Sequence, residues 1–294
     1  MLNIQIPVLV LLFLSLGCID KNKEVVTSTS KFKPAVSSGT IVDKNLQEAS
    51  GIVASRTNEG MFWVINDSGN DARIFLIDDK GNTVHYYWIK DAINFDWEDI
   101  AINTHENGKS YLYIGDIGDN FAVRKNINMI VLEEPIIDNP NDTIVTDYKN
   151  YPLKYPDGAK DAETIMVDPI TSTIYIITKR EHNVLLYEVP KSLNESDPTN
   201  LTFKTNLPIF NVTSGDISSN GEEILVKTYD AIYYWKRLNN ESIPQTMSGT
   251  HESITYNPEP QGESISWAVN NSGFYTLSEK SWASKQVLYF FERN

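Results

Sequence analysis

The sequence predicts an all-β fold, and three observations support this prediction. After residue 37 no segment has the apolar period of a helix, and short β-branched and aromatic runs recur instead, separated by Gly, Asn, Asp and Pro. These runs repeat as a unit with a common opening. The chain of 294 residues is 41% apolar and 11% aromatic, which is enough for a sizeable core.

Each unit opens with an acidic or hydroxyl residue shortly before an isoleucine. The openings are EASGIVAS, DWEDIAIN, DAETIMVD, TSGDISSN and QGESISWA, with isoleucines Ile52, Ile100, Ile165, Ile217 and Ile265. The steps of 48, 65, 52 and 48 residues between these isoleucines resemble the roughly 40–50 residues of a four-stranded propeller blade. Five similar units therefore predict five blades.

Further strands follow each opening. Second strands are MFWVIND, YLYIGD, TIYIITK, EILVKTY and GFYTLSE, and third strands are RIFLID, NMIVLEE, VLLYEVP, AIYYWKR and QVLYFFE. Fourth strands are visible as VHYYWIK, DYKNYPLKY and LTFKTNLPI. The last unit stops after its third strand, and SGTIVDKNL stands alone before the first unit. We expect this N-terminal strand to complete the last blade, which closes the ring and removes an open sheet edge.

The predicted fold is therefore a five-bladed β-propeller. A sixth blade within the long second unit is one alternative, and a two-sheet sandwich is another. A sandwich does not explain the regular spacing of five similar openings.

The N-terminal segment MLNIQIPVLVLLFLSLGC has the pattern of an export signal. Its apolar stretch from Pro7 to Leu14 is too short to span a bilayer, and Asp20 is the first charged residue. LSLGC resembles the bacterial lipoprotein box, which implies that Cys18 is lipidated. A plain secretory signal or a buried thiol near the N-terminus is the alternative. We predict a signal peptide over 1–17, a lipidated cysteine and flexible tether over 18–37, and one propeller domain over 38–294.

The charge balance restricts the partners. A net charge of −14 disfavours nucleic acid and anionic lipid surfaces. Cys18 is the only cysteine, so the mature chain has no internal disulfide and no thiolate metal site. We expect a monomer, held at a periplasmic or outer-membrane face by its lipid alone, that binds a small molecule or a protein on one propeller face.

Inner strands of a propeller begin around a shared channel, so their first residues are expected to form a ring. The predicted members are Ser50, Glu98, Glu163, Ser214 (or Asp216) and Glu263. Converging carboxylates need protons or a cation, and oxygen ligands of this number suit calcium better than magnesium. The alternative is that each acid caps backbone amides or holds an inter-blade hydrogen bond.

A second ring is predicted where the second strands end. Its acids are Asp67 and Asp116, and its basic members, predicted to bind an anion, are Arg73, Arg124, Lys179, Arg180, Lys227 and Lys280. The alternative is that these are ordinary turn residues and solvated lysines.

The series EASGI, NDSG, DWEDIA, LYIGDIGDN, DAE and PQGESI resembles secreted or lipid-anchored bacterial β-propellers of unassigned activity. It is more distantly similar to the five-bladed calcium-activated nucleotidases, or apyrases, whose channel calcium has Ser, Glu, Glu, Ser and Glu ligands in chain order. That likeness implies calcium on Ser50, Glu98, Glu163, Ser214 and Glu263, a water oriented by Asp67, and phosphates held by the basic tips. The chain lacks that family's tryptophan-containing insert, and Asp116 replaces a glycine.

Three functions are compatible with these residues. The first is an exported, lipid-anchored binding or scaffolding propeller with calcium as a structural ion. The second is a calcium-dependent phosphohydrolase in which Asp67 and Asp116 position water. The third is a glycosidase with two carboxylates from among Asp67, Asp116 and Glu163, which nothing in the spacing favours. The sequence leaves open whether the protein is an enzyme.

Overall fold

Five sheets surround a central channel, and together they form a five-bladed β-propeller, as predicted. The structure is a computed structural model, and it describes residues 31–139, 141–238, 241–281 and 285–294. Within these ranges no helix is long and apolar enough to cross a membrane. The predicted signal peptide and Cys18 lie outside the described residues.

The strands follow the order of the chain around the ring. Before and within the first two blades they are β1 (Val36–Thr40), β2 (Ala49–Ala54), β3 (Met61–Asn66), β4 (Arg73–Asp78), β5 (Thr83–Ile89), β6 (Trp97–Thr104), β7 (Ser110–Asp116), β8 (Ile127–Glu133), β9 (Ile144–Val145) and β10 (Tyr148–Lys154). The third blade contains β11 (Ala162–Val167), β12 (Ile174–Thr178), β13 (Val184–Val189) and β15 (Thr202–Leu207), with β14 (Thr199–Asn200) between the last two in sequence.

The last two blades complete the ring. They contain β16 (Val212–Ile217), β17 (Glu223–Thr228), β18 (Ile232–Lys236), the short helix α1 (Ile243–Met247), β19 (Glu252–Ile254), β20 (Gly262–Trp267), β21 (Gly273–Ser278) and β22 (Val287–Glu292). Each inner strand, from β2 through β6, β11 and β16 to β20, contacts the inner strands of both neighbouring blades. This closed ring surrounds the channel.

The N-terminal strand closes the ring as predicted, because β1 pairs antiparallel with β22 in the fifth blade. The folded part begins earlier than the predicted boundary at residue 38, which falls inside β1. Phe32 is buried, with its ring centroid 4.9 Å from that of Phe274, and the Lys33 amide donates to the carbonyl of Glu292 at 2.7 Å. Apolar burial therefore extends the domain into the predicted tether.

The long second unit does not contain a sixth blade. Its extra residues return to the first blade, where β9 pairs in parallel with β5 at the sheet edge. Glu134 is buried, and its Oε1 accepts hydrogen bonds from Ser55 Oγ at 2.5 Å and Trp63 Nε1 at 2.9 Å. The additional length therefore joins blades 1 and 2.

The core consists of apolar clusters between neighbouring blades. Trp63 and Trp97 lie in the cluster between blades 1 and 2, and Trp235 and Trp267 lie in the clusters on either side of blade 4. All four tryptophans are buried. Full burial of one large apolar side chain contributes roughly 1.5–3 kcal/mol, so inter-blade packing holds the inner strands, and hence the channel mouth, in place.

Candidate functional site

Every inner strand has a β-bulge near its first residue. The pairing with the second strand skips one residue in each blade. The skipped residues, called the bulge ring below, are Ser50, Glu98, Glu163, Thr213 and Glu263. A bulge redirects the side chain of the extra residue. Five bulges at one level explain why polar side chains meet at this channel mouth.

The fourth blade differs from the expectation based on the five unit openings, because its bulged residue is Thr213 and not Ser214. Matching the openings made Ile217 the counterpart of the other opening isoleucines. In the structure Gly215 is the counterpart of these isoleucines. It follows the bulged Thr213 by two residues and pairs with Val226, just as Ile165 follows Glu163 by two residues and pairs with Ile176. The misplacement follows from a glycine standing where the other blades have isoleucine.

Ser214 lies one residue deeper in the channel. Its hydroxyl donates to Oδ1 of Asp99 at 3.2 Å and accepts from the Ile265 amide at 3.3 Å. Asp216, the other residue considered for the ring in this blade, accepts from the Trp267 amide at 2.8 Å. Both side chains therefore join inner strands of different blades.

The two hydroxyl members of the bulge ring have equivalent contacts. Ser50 Oγ donates to the carbonyl of Trp97 at 2.7 Å, and Thr213 Oγ1 donates to the carbonyl of Gly262 at 3.3 Å. Each acceptor directly precedes a glutamate of the bulge ring in the next blade, Glu98 or Glu263. The hydroxyls thus hold the backbone that positions the neighbouring glutamates.

The glutamates belong to two adjacent groups of carboxylates. Oxygen atoms of Asp67, Asp96 and Glu98 lie within 4.8 Å of one another, and so do those of Glu98, Asp161 and Glu163. Glu98 belongs to both groups. All of these residues except the half-buried Asp67 are buried. This density of oxygen atoms is typical of a site for a hard cation.

The carboxyl groups are hard to ionise in the absence of a cation. Burial raises the pKa of Glu98 well above its usual range, and the nearby Glu163 adds to the rise. Burial raises the pKa of Glu163 to about 8 although Lys179 opposes the shift. Burial, followed by the charge of Asp67, raises the pKa of Asp96 to about 6. Protons or a bound cation must therefore offset the mutual repulsion.

A second ring consists of the residues directly after the second strands. These residues, called the mouth ring, are Asp67, Ile117, Lys179, Tyr229 and Glu279. Lys179 Nζ lies 2.6 Å from Oε1 of Glu163 and 3.2 Å from the Tyr229 hydroxyl. That hydroxyl donates to Oε1 of Glu263 at 2.7 Å. Lys179 and Tyr229 thus connect two glutamates of the bulge ring.

The other side of the mouth has a different charge balance. Among the described residues, no lysine, arginine or histidine forms an ion pair with Asp67, Asp96 or Glu98. Negative charge is therefore least compensated between blades 1 and 2.

The glycine-containing segment LYIGDIGDN passes directly over these acids. A Cβ atom at Gly118 would collide with Oε1 of Glu98 and with the carboxylate of Asp96. The Gly118 amide donates to the carbonyl of Asp96 at 3.2 Å, and Arg124 Nη1 donates to the carbonyl of Gly118 at 2.7 Å. The glycine is thus required for close approach of the loop to the carboxylates.

Four of the six predicted anion-binding residues are paired with carboxylates. The pairs are Arg73 with Asp71 at 2.9 Å, Arg124 with Asp116 at 3.0 Å, Lys179 with Glu163 at 2.6 Å, and Arg180 with Asp161 at 2.5 Å. Arg73 also lines a depression with Lys280, an exposed residue. The structure therefore distributes these cations over several places.

Lys227 is fully buried and has no carboxylate partner within 4.0 Å among the described side chains. Its Nζ donates to the carbonyls of Gly262 and Thr228. Burial lowers the pKa of Lys227 to about 8. This lysine holds the strand that carries Glu263.

The two predicted catalytic acids have different surroundings. Asp67 lies in the carboxylate group with Asp96 and Glu98. Asp116 lies outside both groups; its Oδ1 accepts from the Asp96 amide at 3.0 Å and pairs with Arg124. Its contacts hold the loop at the mouth together.

Sequence reasoning missed Asp96, Asp161, Tyr229 and Glu279. Asp96 and Asp161 both stand two residues before a glutamate of the bulge ring, in DWED and DAET. This shared spacing was a usable signal. Tyr229 and Glu279 had none, because residues after the second strands differ in type from blade to blade.

Comparisons with known proteins identify no family for this chain. No protein-family model matches it, and no curated protein is significantly similar to it. The class that the structure defines is therefore the five-bladed β-propeller with an acidic channel mouth. The likeness to calcium-activated nucleotidases depends on the quoted sequence motifs alone.

Proposed function

We propose that this protein is an exported, lipid-anchored binding module with a calcium ion at the acidic mouth of its channel. The observation that supports this most directly is the pair of carboxylate groups that share Glu98. Calcium takes six to eight oxygen ligands in flexible geometry, and these groups supply several carboxylates in a small volume. Export and lipid anchoring rest on the N-terminal sequence motif.

The proposed ion has a structural role because its candidate ligands come from three blades. Asp67 follows a strand of blade 1, Asp96 and Glu98 belong to blade 2, and Asp161 and Glu163 belong to blade 3. A cation among them would remove carboxylate repulsion and join the inner strands. An ion that binds only the folded state stabilises it by RT ln(1 + [L]/Kd).

The polar face around this mouth is the proposed place for a small-molecule or protein ligand. A phosphohydrolase is the second candidate, and the position of Asp67 supports it. Its carboxylate lies beside Asp96 and Glu98, where it could orient a water next to a bound ion. The pairing of Arg124, Lys179 and Arg180 with carboxylates favours the binding module, because these cations are not free to hold a phosphate.

Thermal unfolding tests the ion. The purified protein is treated with EGTA and then titrated with calcium, with magnesium as a second ion. We expect a saturable rise in Tm with calcium that is lost in Glu98→Gln. The matched control is Glu48→Gln, an exposed acid near the same mouth, which should keep the rise. A Tm that no divalent cation changes would contradict the proposal.

Turnover distinguishes the two candidates. A hydrolase predicts calcium-dependent release of phosphate from nucleoside diphosphates, lost in Asp67→Asn and retained in a well-folded control. The binding module predicts no such release above the no-enzyme blank. Turnover that depends on both calcium and Asp67 would establish the second candidate.

A further inference from the structure

The opposite mouth of the channel has a different chemical character. It is formed by the last residues of the inner strands and the turns after them. A cavity of about 210 Å³ lies there, and its lining includes Arg56, Asn103, Thr104, Val167, Ile217 and Ser219. Arg56 follows β2 in blade 1, and it brings a guanidinium group to a mouth that is otherwise neutral along this cavity.

Arg56 differs from every other arginine in the chain. All six arginines lie in the described ranges, and five of them form an ion pair with a carboxylate within 4.0 Å: Arg73, Arg124, Arg180, Arg237 and Arg293. For Arg56 the guanidinium hydrogen bond seen in the described structure is from Nη1 to the carbonyl of Ala54, at 3.1 Å. A guanidinium has five N–H donors, and Arg56 lines two cavities, so donors of this side chain are available to a ligand.

The two acids whose charges act on Arg56, Asp216 and Glu134, both accept hydrogen bonds from other groups. Asp216 accepts from the Trp267 amide at 2.8 Å. Glu134 accepts from Ser55 and Trp63, and it contacts the backbone amide of Arg56 at 3.0 Å, not the guanidinium. Burial lowers the pKa of Arg56 from its ordinary value, with these two acids opposing the shift. The guanidinium is thus partly desolvated; the charge of the buried Asp216 acts on it, but no carboxylate of the described residues forms an ion pair with it within 4.0 Å.

A larger cavity adjoins the same side chain. It has a volume of about 610 Å³, lies between blades 5 and 1, and is lined by Arg56 together with Phe62, Ala268 and Tyr275. The rings of Phe62 and Tyr275 pack edge to face, with centroids 4.5 Å apart. Volumes of roughly 300–1,000 Å³ suit drug-sized ligands. The lining therefore combines apolar side chains with a single cation, that of Arg56.

The rim of this cavity restricts the charge of a ligand. Glu59 and Asp79 also line it, and both are exposed. Their charges repel a dianionic phosphate about twice as strongly as a singly charged carboxylate, and a carboxylate can form two parallel hydrogen bonds with one guanidinium.

We propose that this second mouth binds a small monocarboxylate with an apolar body. The carboxylate contacts the Arg56 guanidinium, and the body packs against Phe62, Ala268 and Tyr275. The site lies at the far end of the channel from the acidic mouth, so it is additional to the proposed calcium site and does not depend on it.

Binding of 4-phenylbutyrate to the purified protein tests the proposal, with the uncharged 4-phenylbutanamide as the matched ligand. At the efficiency of drug-sized ligands, an acid of about twelve non-hydrogen atoms should bind with Kd of about 2 mM. We expect saturable binding of the acid in ligand-observed NMR or calorimetry, with the amide at least about tenfold weaker because it lacks the charge.

Variants locate the site. Arg56→Gln should weaken binding of the acid at least about tenfold. Arg180→Gln, the same change at the acidic mouth, should leave the Kd of the acid unchanged. Ala268→Leu keeps the guanidinium and narrows the cavity, so it should also weaken binding of the acid. This variant tests the site even if Arg56→Gln does not fold. EGTA should not alter the Kd.

Three results would each overturn the proposal. They are equal affinity for acid and amide, equal affinity in wild type and Ala268→Leu, and no binding by about 20 mM, tenfold above the expected Kd.

Discussion

The ammonium group of Lys179 lies 2.6 Å from Oε1 of Glu163, and both side chains are buried. This pair connects the mouth ring to the bulge ring. It also divides the acidic mouth into a side with a lysine and a side, formed by Asp67, Asp96 and Glu98, on which carboxylates face one another. The consequences of this asymmetry can be measured.

Lys179→Met should destabilise the protein. Removing one partner of a buried ion pair leaves the other charge uncompensated and costs about 3–5 kcal/mol. We expect a large loss of unfolding free energy in EGTA and a smaller loss in calcium, measured by urea denaturation. The double variant Lys179→Met with Glu163→Gln is the control, since it removes both charges and should recover part of the loss. Equal losses with and without calcium would argue against an ion near Glu163.

The pH dependence of stability should differ between the calcium-free and the calcium-bound protein. The folded-state pKa values of Asp96 (about 6) and Glu163 (about 8) lie above the roughly 3.9 and 4.3 of unfolded chains. Between these limits the folded state binds more protons, so without calcium stability falls as pH rises from about 4 to 8.

Each pKa unit at one carboxyl corresponds to about 1.4 kcal/mol, or roughly 2–4 °C of Tm in a domain of this size. Scanning calorimetry in EGTA should therefore give a lower Tm at pH 8 than at pH 5.5. Saturating calcium should remove or reverse this difference, because the ion favours the ionised carboxylates. A Tm that rises with pH in EGTA would show that folding does not raise the pKa values of these carboxyl groups.

Gly118→Ala should disturb the acidic mouth. Its Cβ would collide with Oε1 of Glu98 and the Asp96 carboxylate, so the loop or the acids must move. We expect a lower Tm and a calcium affinity reduced by at least about tenfold. Gly108→Ala is the control: its φ of 78° is strained for alanine, but its surroundings are open. It should cost about 1–2 kcal/mol and leave the calcium response intact.

Thr213→Val should weaken the contact between blades 4 and 5. It removes the hydrogen bond from Thr213 Oγ1 to the carbonyl of Gly262 and keeps the side-chain shape. We expect a loss of about 0.5–1.5 kcal/mol in chemical denaturation, with the calcium-induced rise in Tm retained. Loss of that rise would instead make the hydroxyl a ligand of the ion.

Much of the architecture could be predicted from the sequence, because it depends on local patterns of residues. Short runs of β-branched and aromatic residues marked the second and third strands, and the SGTIVDKNL segment correctly indicated that the N-terminus completes the last blade. The insert within the second unit was harder to assign, because β9 is only two residues long and pairs with a different blade.

Only part of the candidate site could be predicted from the sequence, because that prediction also depends on a local pattern. Glu98, Glu163 and Glu263 were found because each stands at the same distance before an isoleucine. Blade 4 lacks that isoleucine, so the expected position shifted from Thr213 to Ser214. In a strand a shift of one residue turns a side chain to the other face, and only the bulge register resolves it.

By itself, the sequence determined the number of blades, the closure of the ring and the presence of acids at the starts of inner strands. These follow from composition and spacing within one unit. Tertiary structure decided which charges meet: Lys179 with Glu163, Arg180 with Asp161, and Asp67 with Glu98. Among the described residues, it also left the Arg56 guanidinium without an ion pair to a carboxylate. The physical reason is that charge pairing depends on side-chain distances of a few ångströms between different segments, and bulges and loop paths set those distances.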